Sequence, residues 1–230
     1  MTRISSQKHR RGRGIRQLFV KSSVALFVMF VLLTVGEGIV RANTIQQLIP
    51  ILGTTVGASR TGEVVYLVVS FEERADHGGL AVQFKRGQGR FSPMVQTSVQ
   101  QGIYRAASAL GVSPDSWTVI VSLPYPGLTL YGHSCSAMVA LTVVALAKGV
   151  IIPPDRVITG TVTPDGHIGM VGAVPLKVAA AYEAHMRRVL VPEEQDEADG
   201  DFETPFLMQI SPVATVTQAY QALTDFPITP

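Results

Sequence analysis

Two segments of this chain carry residue types able to perform acyl transfer: the turn Gly132-His133-Ser134-Cys135-Ser136-Ala137 and, further along, Pro175-Leu176-Lys177. The turn opens onto an almost wholly apolar run through Lys148 that Gly149 closes, the pattern of a buried helix. A small-residue turn at a helix start sets the Ser134 hydroxyl beside unpaired backbone N–H groups, which can bind a developing negative charge. A serine hydroxyl is a weak nucleophile until a base takes its proton. Lys177 is the only lysine between Lys148 and the C-terminus, and its neighbours Val174, Leu176, Val178, Ala179 and Ala180 are apolar. Burial disfavours the ammonium form, so such a lysine can accept a proton near neutral pH.

Other assignments use the same residues. Ser134 could simply cap the helix, a role serine favours for its hydrogen bonding alone, and Lys177 could be a solvated surface lysine. A Ser-His-Asp site would need His133, His167 or His185 with Asp155 or Asp165, although His133 adjoins Ser134 too closely in sequence to take its proton well. Cys135 on a helix start points about 100° away from Ser134, which suits a buried, inert thiol better than a nucleophile. No His, Cys and carboxylate cluster has metal-ligand spacing, so no metal and no cofactor is expected.

From Gly132 to about Pro192 the sequence resembles the proteolytic domain of the Lon family, whose nucleophile lies in a G-P-S-A-G turn and whose base is a lysine further along. Laid on that pattern without a gap, Ser134 falls on the family serine and Gly149 on the glycine ending the next helix. Thr159-Gly160 then falls on a T-G pair and Lys177 on the lysine. The resemblance implies a Ser134–Lys177 dyad, with Thr159 in support through a hydrogen bond to the amine, and a ring-forming homo-oligomer acting on polypeptide. Taking Ser136 as the nucleophile shifts the helix, Thr159 and Lys177 off register by two. His133 replaces the family's proline, Cys135 its alanine and Ser136 its second glycine, while Tyr131 stands where many members carry an acidic residue. A non-catalytic Lon-like assembly or binding module is one alternative. A small-molecule kinase of the GHMP type, with a broadly similar fold and a serine-rich phosphate loop, is a more distant one.

Composition narrows the setting. The 230 residues are 47% hydrophobic, enough for one domain with a buried core plus a targeting segment. The net charge of +2 conceals an asymmetry: seven Lys/Arg precede residue 22 with no acid before Glu37, whereas residues 43–230 carry 11 basic and 16 acidic residues. A nucleic-acid partner is therefore not expected, since the positive charge lies off the domain. The basic run to Lys21 and the uncharged run from Ser22 to Gly36 form the positive and apolar regions of an export signal or a membrane anchor. Cleavage near Val40-Arg41-Ala42 and retention as an anchor are both open; either way the following domain is expected outside the cytoplasm. No G-x-x-x-x-G-K-[ST] loop occurs and no upstream ATPase domain is expected, so the activity implied is an ATP-independent endopeptidase.

The elements that must position these residues follow from hydrophobic pattern. Residues 1–42 are taken as signal or anchor, 43–62 as a connector and 63–225 as the Lon-like proteolytic domain; strands and helices mixed in this order give an α+β fold, and the resemblance to the Lon family implies its two-layer, ribosomal-protein-like form. Glu63–Phe71 and Gly79–Phe84 read as paired strands. Ser92-Pro93 starts an amphipathic helix through Leu110. Trp117–Leu123 reads as a buried strand and Val157–Val162 as another, returning through an Asp165-Gly166 turn to His167–Val171. Pro175–Arg187 reads as a helix, Val189–Val191 as a strand, Glu193–Glu203 as an acidic loop, and Met208–Val213 with Thr215–Leu223 as a last strand and helix.

Overall fold

A hairpin occupies much of the stretch read as a connector. Strands β1 (Ile45–Thr54) and β2 (Gly62–Glu73) pair antiparallel over their length, from Ile45 opposite Phe71 to Thr54 opposite Gly62. The computed structural model describes residues 44–57, 59–85, 89–200 and 204–227; the expected export or anchor segment lies outside them. Among the described residues no helix is long and apolar enough to cross a membrane.

The main sheet has the order β1-β2-β5-β3, with β3 at Ala81–Phe84 and β5 at Trp117–Ser122. The expected pairing of the second and third strands does not occur. One edge of β2 is taken by β1 and the other by β5, so β3 adds, in parallel, to the free edge of β5. Arg74 fixes this crossing by donating to Asp76, the Trp117 carbonyl, Thr118 Oγ1 and the Gly79 carbonyl.

Helix α1 (Pro93–Ala109) starts as its sequence suggests: Ser92 Oγ accepts from the Val95 N–H, and Pro93 fills a position needing no donor. Its buried face of Val95, Val99, Ile103, Ala106 and Ala107 packs on helix α2 (Ser136–Ala147). Every residue of α2 from Ser136 to Leu146 is buried, so it is the central helix and its apolar run needs no amphipathic stripe. Gly102 lets the two helices approach closely, since a Cβ there would stand 3.3 Å from the Ser136 carbonyl oxygen.

A second layer covers the opposite side of the hairpin. Alternation along β2 sends Leu67, Val69 and Phe71 to the core shared with α1 and α2, and Val64 and Tyr66 to a smaller core beneath helix α3 (Val174–Glu183). That smaller core also takes Val157, Val189 and Val191 from a parallel sheet of order β11-β10-β7, with β7 at Arg156–Ile158, β10 at Arg188–Pro192 and β11 at Gln209–Val213. Helix α4 (Val216–Thr224) closes the chain behind a capping box of Thr215 and Gln218. The fold is thus a mixed α and β domain.

Two boundaries differ from the sequence reading for local reasons. The expected strand Val157–Val162 breaks at Thr159-Gly160: β7 ends at Ile158, and β8 (Thr161–Val162) turns away to pair with β9 (Ile168–Gly169). Helix α3 stops at Glu183 rather than Arg187, because His185 adopts a left-handed conformation and Met186 enters the smaller core.

Candidate active site

The turn before α2 is built by β6 (Thr129–Leu130), which pairs in parallel with β4 (Arg90–Phe91), and by Gly132 at a φ of 83°, a conformation glycine adopts without penalty. Ser134 is half-buried, two residues ahead of the first helical residue. The N-cap position belongs to Cys135, whose side chain makes no capping bond. Ser134 is therefore not a structural cap.

Gly160 holds this turn from across the core. Its N–H donates to the Ser134 carbonyl at 2.9 Å, and its own carbonyl accepts from the Ala137 N–H at 3.2 Å. This is why the strand breaks at Thr159-Gly160: the glycine backbone pairs with the serine turn instead of a sheet. A Cβ at Gly160 would come within 2.7 Å of Ile168 Cγ2. The Ser136 N–H donates to the His133 carbonyl at 3.0 Å, so the amides of Ser136 and Ala137 are both engaged. Among the described residues, the amides of Ser134 and Cys135 make no backbone hydrogen bond and are the donors left for an incoming anion.

Lys177 sits on the buried face of α3 and is only 4% exposed. Its Nζ donates to the Gly172 carbonyl at 2.9 Å. Burial is the main influence on its acidity and lowers its pKa from 10.5 to about 8; Asp199 and Cys135 oppose that shift and Arg60 adds to it. A sizeable fraction of the amine is thus neutral at mildly alkaline pH.

The expected hydrogen bond between Thr159 and Lys177 is absent. The amine points to Gly172, and Thr159, 1% exposed at the strand break, has a hydroxyl with no partner. A buried hydroxyl left unpaired costs about 1–3 kcal/mol, which makes the site unusual rather than ordinary strand structure.

Ser134 and Lys177 open onto one cleft of about 650 Å³, walled by Thr54 and Arg60 of the β1–β2 turn, by Leu128 and Leu130, and by Val171 and Gly172. His133 and Tyr131 stand at its exposed rim. His167 is elsewhere, on the β8–β9 turn, where its Nδ1 lies 3.1 Å from Asp165 and its backbone bridges to Thr215. Neither it nor His185 lines the cleft, and His133 lines it without Asp155 or Asp165, so the Ser-His-Asp arrangement is not assembled around Ser134. Cys135 is buried, and burial pushes its thiol up to about 11, which suits an inert side chain. Ser136 is buried at 1% exposure within α2 and does not line this cleft. Among the described residues no group of His, Cys, Asp and Glu is placed to hold a metal ion.

One participant escaped the sequence reading. Asp199, expected as part of an acidic surface loop, accepts from two backbone N–H groups at the start of α3. A signal for it existed: Ala173 offers no capping side chain and Pro175 no N–H, so the helix required an acceptor from elsewhere.

Over residues 95–221 the sequence matches the family described as the Lon protease (S16) C-terminal proteolytic domain. It is similar to the peroxisomal Lon protease homolog 2 of Caenorhabditis briggsae, 35% identical over 77 residues that cover 34% of this chain and 10% of that protein. Lon protease 1 of Syntrophobacter fumaroxidans is 24% identical over 128 residues, 53% of this chain and 16% of that protein. The Lon protease of Azospirillum brasilense is 25% identical over 136 residues, 56% of this chain and 17% of that protein. The matched segment thus spans at most 17% of the length of these three relatives.

Proposed function

The chain belongs to the family of the Lon protease (S16) C-terminal proteolytic domain, and from that premise we propose that it is a serine endopeptidase working through a Ser134–Lys177 dyad on unfolded or exposed polypeptide. The observation that carries the reading is the shared cleft: a half-buried serine and a buried lysine with a pKa lowered to about 8 open onto the same space. Neutral Lys177 takes the Ser134 proton as the oxygen attacks the scissile carbonyl. One amine hydrogen stays on the Gly172 carbonyl, and the lone pair of the neutral amine accepts the Ser134 proton; the Thr159 hydroxyl, which has no partner at rest, is in this reading the group that orients the amine during turnover. The tetrahedral oxyanion is received by the amides of Ser134 and Cys135; each such donor is typically worth about 10²–10³ in rate. Lysine then returns the proton to the leaving amine, and water releases the acyl group by the same steps in reverse roles.

The chemistry itself consumes no nucleotide, and we take the activity to be ATP-independent, with substrates limited to segments already unfolded. Self-association into a ring belongs to the same proposal, as does a location outside the cytoplasm, supported by the basic-then-apolar order of residues 1–42. Turnover of an unfolded protein, followed against pH by mass spectrometry with and without ATP, tests the reading. Wild type should cut with a limb rising toward about pH 8. Ser134→Ala, Lys177→Ala and Lys177→Arg should not cut, while Ser136→Ala and His133→Ala should. An active Lys177→Arg enzyme would exclude lysine as the base, because arginine keeps its proton. Products that require ATP would contradict the ATP-independent reading.

A further inference from the structure

Helix α3 begins without a cap of its own. Its N-cap residue Ala173 lies in the left-handed region at a φ of 58° and carries no acceptor, and Pro175 supplies no N–H. The N–H groups of Ala173 and Val174 instead donate to the two oxygens of one carboxylate, Asp199 Oδ1 at 2.7 Å and Oδ2 at 2.8 Å. Hydrogen bonds to an ionised acceptor are roughly twice as strong as neutral ones. Asp199 reaches the helix from the 3-10 turn Glu197–Asp199, which Asp196 steadies by accepting from the Ala198 N–H.

The N–H of Ala173 and the carbonyl of Gly172 are two ends of a single planar peptide group. At its N–H end stands the Asp199 carboxylate, and at its carbonyl end the Lys177 amine, 2.9 Å away. An anion on the N–H polarises the unit and strengthens the carbonyl as an acceptor. We propose that Asp199 is a positioning residue for Lys177, acting through the Gly172–Ala173 peptide group to fix the amine at the cleft; this rests on the Ser134–Lys177 reading. Asp199 is not a catalytic residue, because it touches neither nucleophile nor substrate.

The charged surroundings make the role separable from mere scaffolding. Lys177 is faced by Asp199 from the acidic loop, by Cys135 at the start of α2 and by Arg60 of the β1–β2 turn. Glu63 of β2 and His133 of the serine turn share its cleft. Cys135 is raised to about 11 and so stays protonated near neutral pH, leaving Asp199 as the principal anion that favours the ammonium form. Removing its charge therefore both loosens the amine and makes it less basic. A substitution that only destabilised the fold would not move the titration.

The test follows acylation of Ser134 by a peptidyl β-lactone against pH in the full-length chain, together with amide hydrogen exchange at Ala173 and Val174. For Asp199→Asn, the plateau rate should fall roughly 10- to 100-fold, the usual cost of a misplaced catalytic group. Its rising limb should move to lower pH, and both amides should exchange faster. Asp199→Glu, which keeps the charge, should hold the limb where wild type has it; should Asp199→Asn fail to fold, this variant and its exchange rates carry the test. An unmoved limb in folded Asp199→Asn, unaltered exchange at the two amides, or a displaced limb in Asp199→Glu overturns the proposal. Failure of the dyad reading would look different, as wild-type Ser134 that is not labelled at any pH, and would overturn both.

Discussion

At the residue level, the site holds two groups whose burial costs stability, and each gives a prediction with a sign. The folded-state pKa of Lys177, about 8, lies below its unfolded value of 10.5. Between those values the unfolded chain binds more protons, so stability rises with pH across this window and the penalty is complete below about pH 8. Lys177→Met should therefore be inactive yet more stable than wild type at pH 7, by up to about 3 kcal/mol. That gain should vanish above pH 10.5, which chemical denaturation at several pH values will read. The same logic applies to the unpaired hydroxyl of Thr159. Thr159→Val removes a buried polar group without a partner, so its unfolding free energy should increase by about 1 kcal/mol while turnover drops. Residue type, spacing and apolar surroundings single out Ser134 and Lys177 in the sequence, and the fold brings both to one cleft. The state of Thr159 was not legible in the sequence, because whether a hydroxyl finds a partner depends on which way the lysine points. Asp199 was hidden for a related reason: an acidic loop looks solvated until a helix 26 residues back is seen to need it.

At the element level, the β1–β2 hairpin packs against α3, and Gly62 is a point of close approach between them. A Cβ there would fall 1.9 Å from the Leu176 carbonyl oxygen, beside Lys177, and the obstacle is backbone. Gly62→Ala should cost about 1–3 kcal/mol and depress activity more than a surface alanine, as paired thermal melts and turnover assays will show. Most helices were readable, since Ser92-Pro93, the apolar run of α2 and the Thr215 cap are local signals. β1 was not, because Gln46, Gln47 and Pro50 break an apolar pattern. Two facts of tertiary structure reconcile them. β1 is at the edge of its sheet, where proline's missing N–H costs little, and the buried Gln47 side chain bonds the Ile152 backbone, donating to its carbonyl at 2.6 Å. The strand pairing was misread for want of that first strand: once β1 holds one edge of β2 and β5 the other, β3 has no place beside β2, and it pairs with β5.

At the level of the whole molecule, Asp225 ties the C-terminal helix to the parallel sheet through Arg156 of β7 and Arg188 of β10. Its hydrogen bonds with Arg156 and then Arg188 hold its carboxyl down at about 2. The stabilisation is complete above the ordinary carboxylate value of 3.8 and is lost as pH falls through about 2, so Asp225→Asn should narrow the difference in stability between neutral and acid solution. Because the carboxylate is solvent-exposed, the effect should shrink in high salt. The proposal for the N-terminal residues also belongs here. A reporter fused after Pro230 should be active only in an exported compartment, and full activity of a cytoplasm-only reporter would contradict it. Charge order along the sequence was enough to frame that proposal, whereas the contact between the acidic loop and α3 needed the fold.

The central claim is that Lys177 is the base for Ser134, and the most direct test is the rate at which a peptidyl β-lactone acylates Ser134 as a function of pH, measured by intact-protein mass spectrometry. Wild type should show a single rising limb centred near pH 8, and Lys177→Arg should show neither the limb nor appreciable labelling. Labelling of Lys177→Arg at the wild-type rate, with the limb in place, would contradict the account.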